Sequence, residues 1–248
     1  MLTTLTIEPR FCGPASSGNG GYSCGRLAQV LAAQPGVDAV EVTLRAPPPL
    51  GRPLGVKETP DGAPAPSTSA LFLYDGDRLV AEARPAVLEL ALPAPPRFED
   101  AQAAQARYVG HERHDYPTCF VCGPGRAPGD GLRLFAGPIP GASEKTPGLV
   151  AAPFVPDASL ADETGHVRPE FIWAALDCPG YFGAAAPDYP KALLGRMTAK
   201  VTPVRVGERC TVVGFALGRE GRKIFAASAV FGPKGDPRGY SKQVWIQV

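Results

Sequence analysis

The sequence lacks an excess of charge of either sign. Its 25 Lys and Arg against 24 Asp and Glu leave a formal net charge of +1, so the charge balance points to neither nucleic acid nor an anionic membrane surface. The first residues, "MLTTLTIEPRFCGPASSGNGG", lack a charged stretch followed by an apolar run. No segment is apolar for long enough to span a bilayer. The expectation is a cytoplasmic chain without membrane association, whose six cysteines are free thiols rather than disulfides. The glycine-rich "GPGRAPGDGLRL" lacks the Gly-Lys-Ser/Thr ending of a phosphate loop, and reads as a loop leading into a strand.

Glycine and proline, by contrast, are abundant at 29 each, which predicts many turns and long irregular connections. The 248 residues suffice for one large domain or two of ordinary size. Alternation at Leu2, Leu5 and Ile7 predicts a first strand. "NGGYSCGRLAQVLAAQPG" predicts a helix, with Cys24, Leu27, Ala28 and Leu31 at helical spacing and Pro35-Gly36 as the stop. A strand, a Pro-rich corner and a second strand follow in "AVEVTLRAPPPLGRPLGVKE". "ALFLYDGDRLVAEARPAVLELAL" reads as a hairpin turning at Asp75-Gly76-Asp77.

This order recurs in the second half. "RPEFIWAALDCPGYFGAA" predicts a helix, "LLGRMTAKVTPVRVGERCTVVGFAL" a strand, a corner and a strand, and "GREGRKIFAASAVFG" a hairpin. Pro47 to Gly51 matches Pro203 to Gly207, and "GDRLVAEA" matches "GRKIFAAS". The final "YSKQVWIQV" predicts one more strand. Between the halves, "LPAPPRFEDAQAAQARYVGHERHDYP" reads as a linker carrying a short exposed helix, because Ala, Gln and Glu favour helix.

Asp177 stands in the middle of an otherwise apolar helix. An ionised group taken out of water costs several kcal/mol or changes its pKa, so such a residue is paired, exposed or working. One reading is structural: Pro179 cannot donate to the helix and Cys178 before it is restricted, so Asp177 satisfies the freed backbone. The other is catalytic, a carboxylate whose raised pKa suits a general base or nucleophile.

One helix wrapped by a mainly antiparallel sheet, repeated, together with "CFVCGPGRAPGDGLRL" (Cys119 to Leu134), "PFVP" (Pro153 to Pro156) and "AALD", resembles the hotdog-fold acyl-CoA thioesterase superfamily in its fused, double-hotdog form. The order of these motifs is similar to that of PaaI-type thioesterases. "ALDCPGYFG" and "GNGGYSCGRLA" are similar to segments of the TesB-like group. The resemblance implies an α+β fold of two antiparallel sheets, each wrapped around a central helix, forming a pseudo-dimer. It implies an N-terminal hotdog domain over 1–95, a linker over 96–118 and a C-terminal hotdog domain over 119–248. It implies an acyl-CoA or acyl-carrier thioester as substrate, Asp177 as the catalytic carboxylate, no cofactor and no metal, in a monomer or homo-oligomer. The helix start at Asn19, Gly20 and Gly21 is the candidate oxyanion and substrate-binding element, since a helix N-terminus offers unpaired N–H groups and glycine permits close approach.

Two positions depart from these groups. Val230 and Phe231 stand where TesB-like enzymes carry a Gln, and Arg168-Pro169-Glu170 where PaaI-type enzymes carry His-Gly-Gly. Thr198, Thr202 and Glu170 are possible replacements. The departures keep open a non-catalytic acyl-CoA or acyl-ligand-binding protein of the same fold. His111, His114, Cys119 and Cys122 lie close enough in sequence for a tetrahedral zinc site, against which the resemblance gives the cysteines a packing role. A redox role for the Cys-x-x-Cys is disfavoured, since no thioredoxin-like βαβ pattern surrounds it. His166 raises a hotdog hydratase, but the Asn-Pro expected between its Asp and His is missing, and a loop histidine is the simpler reading. Arg45, Arg196, Arg205, Arg222 and Lys223 are candidates for the phosphates of CoA or plain surface charges. The rings of "FIW" and "GYF" belong to the core or to an acyl tunnel.

Overall fold

Two helices anchor the molecule, and both begin as their sequences predict. In the computed structural model, which describes residues 4–58, 69–142 and 146–248, α1 spans Gly20–Ala32. The Asn19 side chain caps it by accepting from the Tyr22 N–H at 2.9 Å, which satisfies one of the donors a helix start leaves unpaired. Cys24, Leu27, Ala28 and Leu31 form its buried stripe. Gly36, just beyond, takes a φ of +81° that a side chain would resist.

The second helix is of another kind. Fourteen of the sixteen residues of Pro169–Ala184 are buried, so it is apolar all round and enclosed by the fold. It is α3, following the short α2 at Phe98–Ala104. Pro179 lies inside it and leaves the carbonyl of Ala175 without its helical donor. At the next carbonyl, Leu176, two side chains donate from below, Ser228 Oγ and Gln243 Nε2.

Among the described residues the strands are β1 (Thr4–Thr6), β2 (Ala39–Leu44), β3 (Pro53–Lys57), β4 (Leu71–Asp75), β5 (Arg78–Ala86), β6 (Gly137–Pro138), β7 (Val150–Phe154), β8 (Ala192–Val201), β9 (Cys210–Glu220), β10 (Lys223–Phe231) and β11 (Pro237–Gln247). They form one antiparallel sheet in the order β1-β3-β4-β5-β2-β8-β11-β10-β9-β7-β6. Read outward from the central β2–β8 pair, the first half runs β2-β5-β4-β3-β1 and the second β8-β11-β10-β9-β7, with β6 appended. The order is the same in both halves, and each half begins with the strand that follows its helix.

The structure corrects four expectations. The two sheets are one, because β2 and β8 pair edge to edge from Val40↔Ala199 to Thr43↔Arg196. Pairing satisfies two edges that would otherwise be exposed. The strand of "GDRLVAEA", β5, holds the place of β11, whereas the strand of "GRKIFAAS", β10, holds that of β4. The segment after "GDGLRL" is not a strand up to Gly137: Arg133 turns to φ +50°, and Leu132 and Leu134 donate instead to the carbonyls of Phe120 and Val121. Lastly, α2 is only half exposed. Ala101 and Ala104 are buried, and Ala101, with Leu90 and Leu92, covers Leu149, Val213, Phe215 and Ala229 on the outer face of the second half of the sheet. That burial, more than helix propensity, holds the segment in place. Leu2 lies outside the described residues.

On the other face α1 and α3 lie against the sheet and against each other, inside one continuous core that includes Leu27, Leu31 and Val42 as well as Leu176, Met197 and Val230. Two glycines set the distance between the helices. A methyl at Gly21 would come within 2.6 Å of the Trp173 carbonyl and of Asp177 Cβ, and one at Gly25 within 2.7 Å of Glu170 Cα and Trp173 Cβ.

Candidate active site

The close approach at Gly21 brings the start of α1 onto Asp177. The carboxylate is 1% exposed. Its Oδ2 accepts from Asn19 Nδ2 at 2.7 Å and from the Gly21 N–H at 3.1 Å. Its Oδ1 is buried and has no hydrogen-bond partner among the described residues. Burial pushes the carboxyl up to about 7, a rise that the Gly21 N–H and the Asn19 amide hold back. Asp177 therefore does not serve the backbone that Pro179 frees. The positive end of the opposite helix fixes one of its oxygens, and the other is left bare.

The three residues expected to form an oxyanion hole thus have different duties. Asn19 is doubly engaged, capping α1 through Oδ1 and holding Asp177 through Nδ2. The N–H of Gly21 is also spent on Asp177. Gly20 lines the same pocket as Asp177, and among the described residues its N–H has no acceptor.

The pocket has a volume of about 260 Å³ and lies where the ends of β2 and β8 meet the start of α1 and the middle of α3. Leu44, Val109, Phe182, Leu194 and Trp245 give it apolar walls, and Asp177, Cys119, Cys122 and Cys178 stand together at its polar part. An apolar cleft with a few convergent polar groups is the usual form of a small-molecule site. Tyr181 and Phe182 of "GYF" line it, while Phe171, Ile172 and Trp173 of "FIW" are core. Arg45 is the one of the five phosphate candidates at the pocket, and it is paired with Glu82.

Other candidates lie elsewhere. Thr198 reaches Glu41 at 3.4 Å across the β2–β8 seam, Thr202 bonds the Arg238 carbonyl on the surface, and buried Glu170 accepts from Gln29 at 2.5 Å. None of the three lines the pocket. His166 sits in the turn after Asp162, 2.8 Å from Thr164 Oγ1. Val230 and Phe231 are buried in β10 as expected of strand residues. A buried glutamine does lie under α3, one strand later. Its Nε2, with two N–H groups, has Leu176 O, Ser228 Oγ and Ser241 Oγ within hydrogen-bond reach, and Gln243 Oε1 accepts from Trp245 Nε1. The alternation of "YSKQVWIQV" sets Ser241, Gln243 and Trp245 on one face, a signal that could have found it.

Cys178 was also missed, although it follows Asp177 directly. Its sulfur lies 3.8 Å from that of Cys119. The thiols of Cys122 and Cys178 beside Cys119 push its pKa well below the usual thiol range. Of the proposed zinc quartet, His114 Nε2 stands 3.3 Å from Cys122 Sγ. His111 turns outward, with Nε2 at 3.0 Å from the Gln105 carbonyl.

No family model and no curated sequence matches the chain. Solved structures do. The acyl-CoA thioesterase II TesB2 from Mycobacterium marinum is 12% identical with a TM-score of 0.59, over 99% of this chain and 92% of that one. The tesB protein of Mycobacterium avium subsp. paratuberculosis is 14% identical, with a TM-score of 0.60 over the same shares. A protein of unknown function with hot dog fold from Alicyclobacillus acidocaldarius is 13% identical, with a TM-score of 0.57 over 99% and 92%. At such identities the likeness speaks for architecture, and it agrees with the strand order and helix placement described above: the chain has the hot dog fold along its full length.

Proposed function

We propose that this protein hydrolyses acyl thioesters of CoA or of an acyl carrier, with Asp177 as general base or nucleophile. One observation carries the proposal. Asp177 is a buried carboxylate with one oxygen held by two donors from the other helix and the second bare, in an apolar pocket. As base, Asp177 Oδ1 takes a proton from water while the hydroxide oxygen bonds to the thioester carbonyl carbon. The tetrahedral oxyanion accepts from the Gly20 N–H. Collapse breaks the C–S bond, and the departing thiolate takes the proton from Asp177. As nucleophile, Oδ1 bonds to the carbonyl carbon and expels the thiolate, and water then cleaves the anhydride. Asn19 and Gly21 act by fixing Oδ2, which aims Oδ1.

We also propose that the repeated strand order reflects two fused hotdog domains, 1–95 and 119–248, joined by 96–118 as a pseudo-dimer. The site lies at their junction, and further homo-oligomerisation is not needed to complete it. The neighbours named for acyl-CoA thioesterase activity support the choice of substrate class. The placement of Gln243 favours the second reading, an acyl-ligand-binding protein without turnover, because its amide N–H groups are engaged beneath α3 and it does not line the pocket.

The test is a panel of short, medium, long and aromatic acyl-CoAs in excess over protein, with release of free thiol followed continuously. Turnover of at least one class is expected. Tight binding with no turnover across the panel would replace the hydrolase with the binding protein, and neither binding nor turnover would remove both.

A further inference from the structure

The three thiols beside Asp177 are arranged for more than packing. The sulfurs of Cys119, Cys122 and Cys178 all lie within 4.8 Å of one another. None of the three is paired in a disulfide, and all are buried. Cys119 and Cys122 come from one tight turn, braced by the Gly123 N–H bonding back to the Cys119 carbonyl at 2.9 Å. Cys178 comes from α3. The geometry of zinc gives the comparison: two thiolates bound at about 2.3 Å with a tetrahedral angle stand about 3.8 Å apart. The Cys119–Cys178 separation is 3.8 Å.

His114 completes the surroundings without joining the set. Its Nδ1 accepts from the Tyr116 N–H at 2.9 Å, which puts the neutral ring's proton on Nε2. That N–H then points at Cys122 Sγ, 3.3 Å away, as a donor to the sulfur. Asn19 Nδ2 similarly approaches Cys119 Sγ at 3.7 Å. Donors of this kind orient and tune thiolate ligands.

We propose that Cys119, Cys122 and Cys178 bind one thiophilic divalent cation of the zinc class, with His114 as supporting donor to Cys122. Three thiolates suit a soft or borderline ion in tetrahedral coordination and not magnesium or calcium. All three cysteines line the pocket, so the fourth position opens towards it and takes water or a ligand atom. The site stands on the sulfur geometry and does not depend on the hydrolase reading.

The experiment uses the full chain, purified in reducing buffer without chelator. Elemental analysis is expected to find about one zinc per chain. After removal of the metal, titration with Co2+ should give a thiolate-to-cobalt charge-transfer band and strong tetrahedral visible bands that saturate at one equivalent and are erased by Zn2+. Cys178→Ser and Cys122→Ser should each remove about a third of the charge-transfer intensity and weaken binding by more than the roughly 10- to 100-fold that loss of a supporting group costs. His114→Gln should keep the full band with weaker binding, and Cys210→Ser, away from the cluster, should change nothing. Wild-type protein with neither stoichiometric zinc nor a cobalt band would overturn the proposal, whatever the variants do. So would a band that survives in both cysteine variants, or mass spectrometry showing a Cys119–Cys178 or Cys119–Cys122 disulfide as the resting state. Thioester turnover plays no part in these readings.

Discussion

Asp177 carries an energetic cost, because its carboxylate is buried. Its carboxyl is pushed up to about 7 by burial, so between about pH 4 and pH 7 the folded chain keeps a proton that the unfolded chain has released. Stability therefore falls as pH rises through that window and levels off above it. Asp177→Asn retains an acceptor for Asn19 and Gly21 and removes the buried charge. In chelator-treated protein, where no ion adds its own field, the variant should gain stability over the wild type at pH 8. The gain is at most about 4 kcal/mol and shrinks towards zero near pH 4. Urea unfolding of both proteins at the two pH values measures it, and an Asn variant less stable at pH 8 would mean that the charge is stabilising where it sits. The residue itself was visible in the sequence as a charge in an apolar helix. Its partners were not visible as partners. Asn19 and Gly21 lie more than 150 residues away along the chain, and as the start of a helix they read as donors to a substrate oxyanion, not to Asp177.

At the scale of elements, the site exists because α1 and α3 touch through glycine. Adding a methyl at Gly21 would set it 2.6 Å from the backbone of Trp173, which cannot step aside, whereas at Gly20 it would meet the side chain of Leu194 at 2.9 Å, which can. Gly21→Ala should therefore cost about 1–3 kcal/mol and reduce turnover sharply by shifting the donor to Asp177. Gly20→Ala should be the milder change in stability. Chemical denaturation of the pair, with kinetics at saturating substrate, separates them, and equal costs would contradict the packing argument. Both helices were legible in the sequence, the first from its spacing and its Pro35-Gly36 stop. Their contact was not, since a glycine at a helix start also reads as room for a ligand. The same limit applies to Gln243, whose strand was legible but whose place beneath the Leu176 carbonyl depends on how β11 and α3 stack.

The whole molecule joins two similar halves by one short strand pair and one shared core. The recurrence of helix, strand, corner and strand was legible in the sequence, and the strand order supports it. The continuity of the sheet was not, because alternation shows which face of a strand is buried and says nothing of which edge it joins. With Leu27 and Val42 in the same core as Leu176 and Met197, the halves should unfold together. Fluorescence of Trp173 and Trp245, both in the second half, should follow the same urea transition as the far-ultraviolet signal of the whole chain. Two separated transitions would show that the halves are independent domains despite the shared core.

If Asp177 performs the chemistry, comparing the wild type with Asp177→Asn on the best acyl-CoA of the panel will show it, with affinity for a non-hydrolysable thioether analogue measured alongside. The expected result is a fall in kcat of about 10²- to 10⁴-fold with binding of the analogue retained. Unchanged kcat in a folded Asn variant would remove Asp177 from the reaction and with it the account of the site.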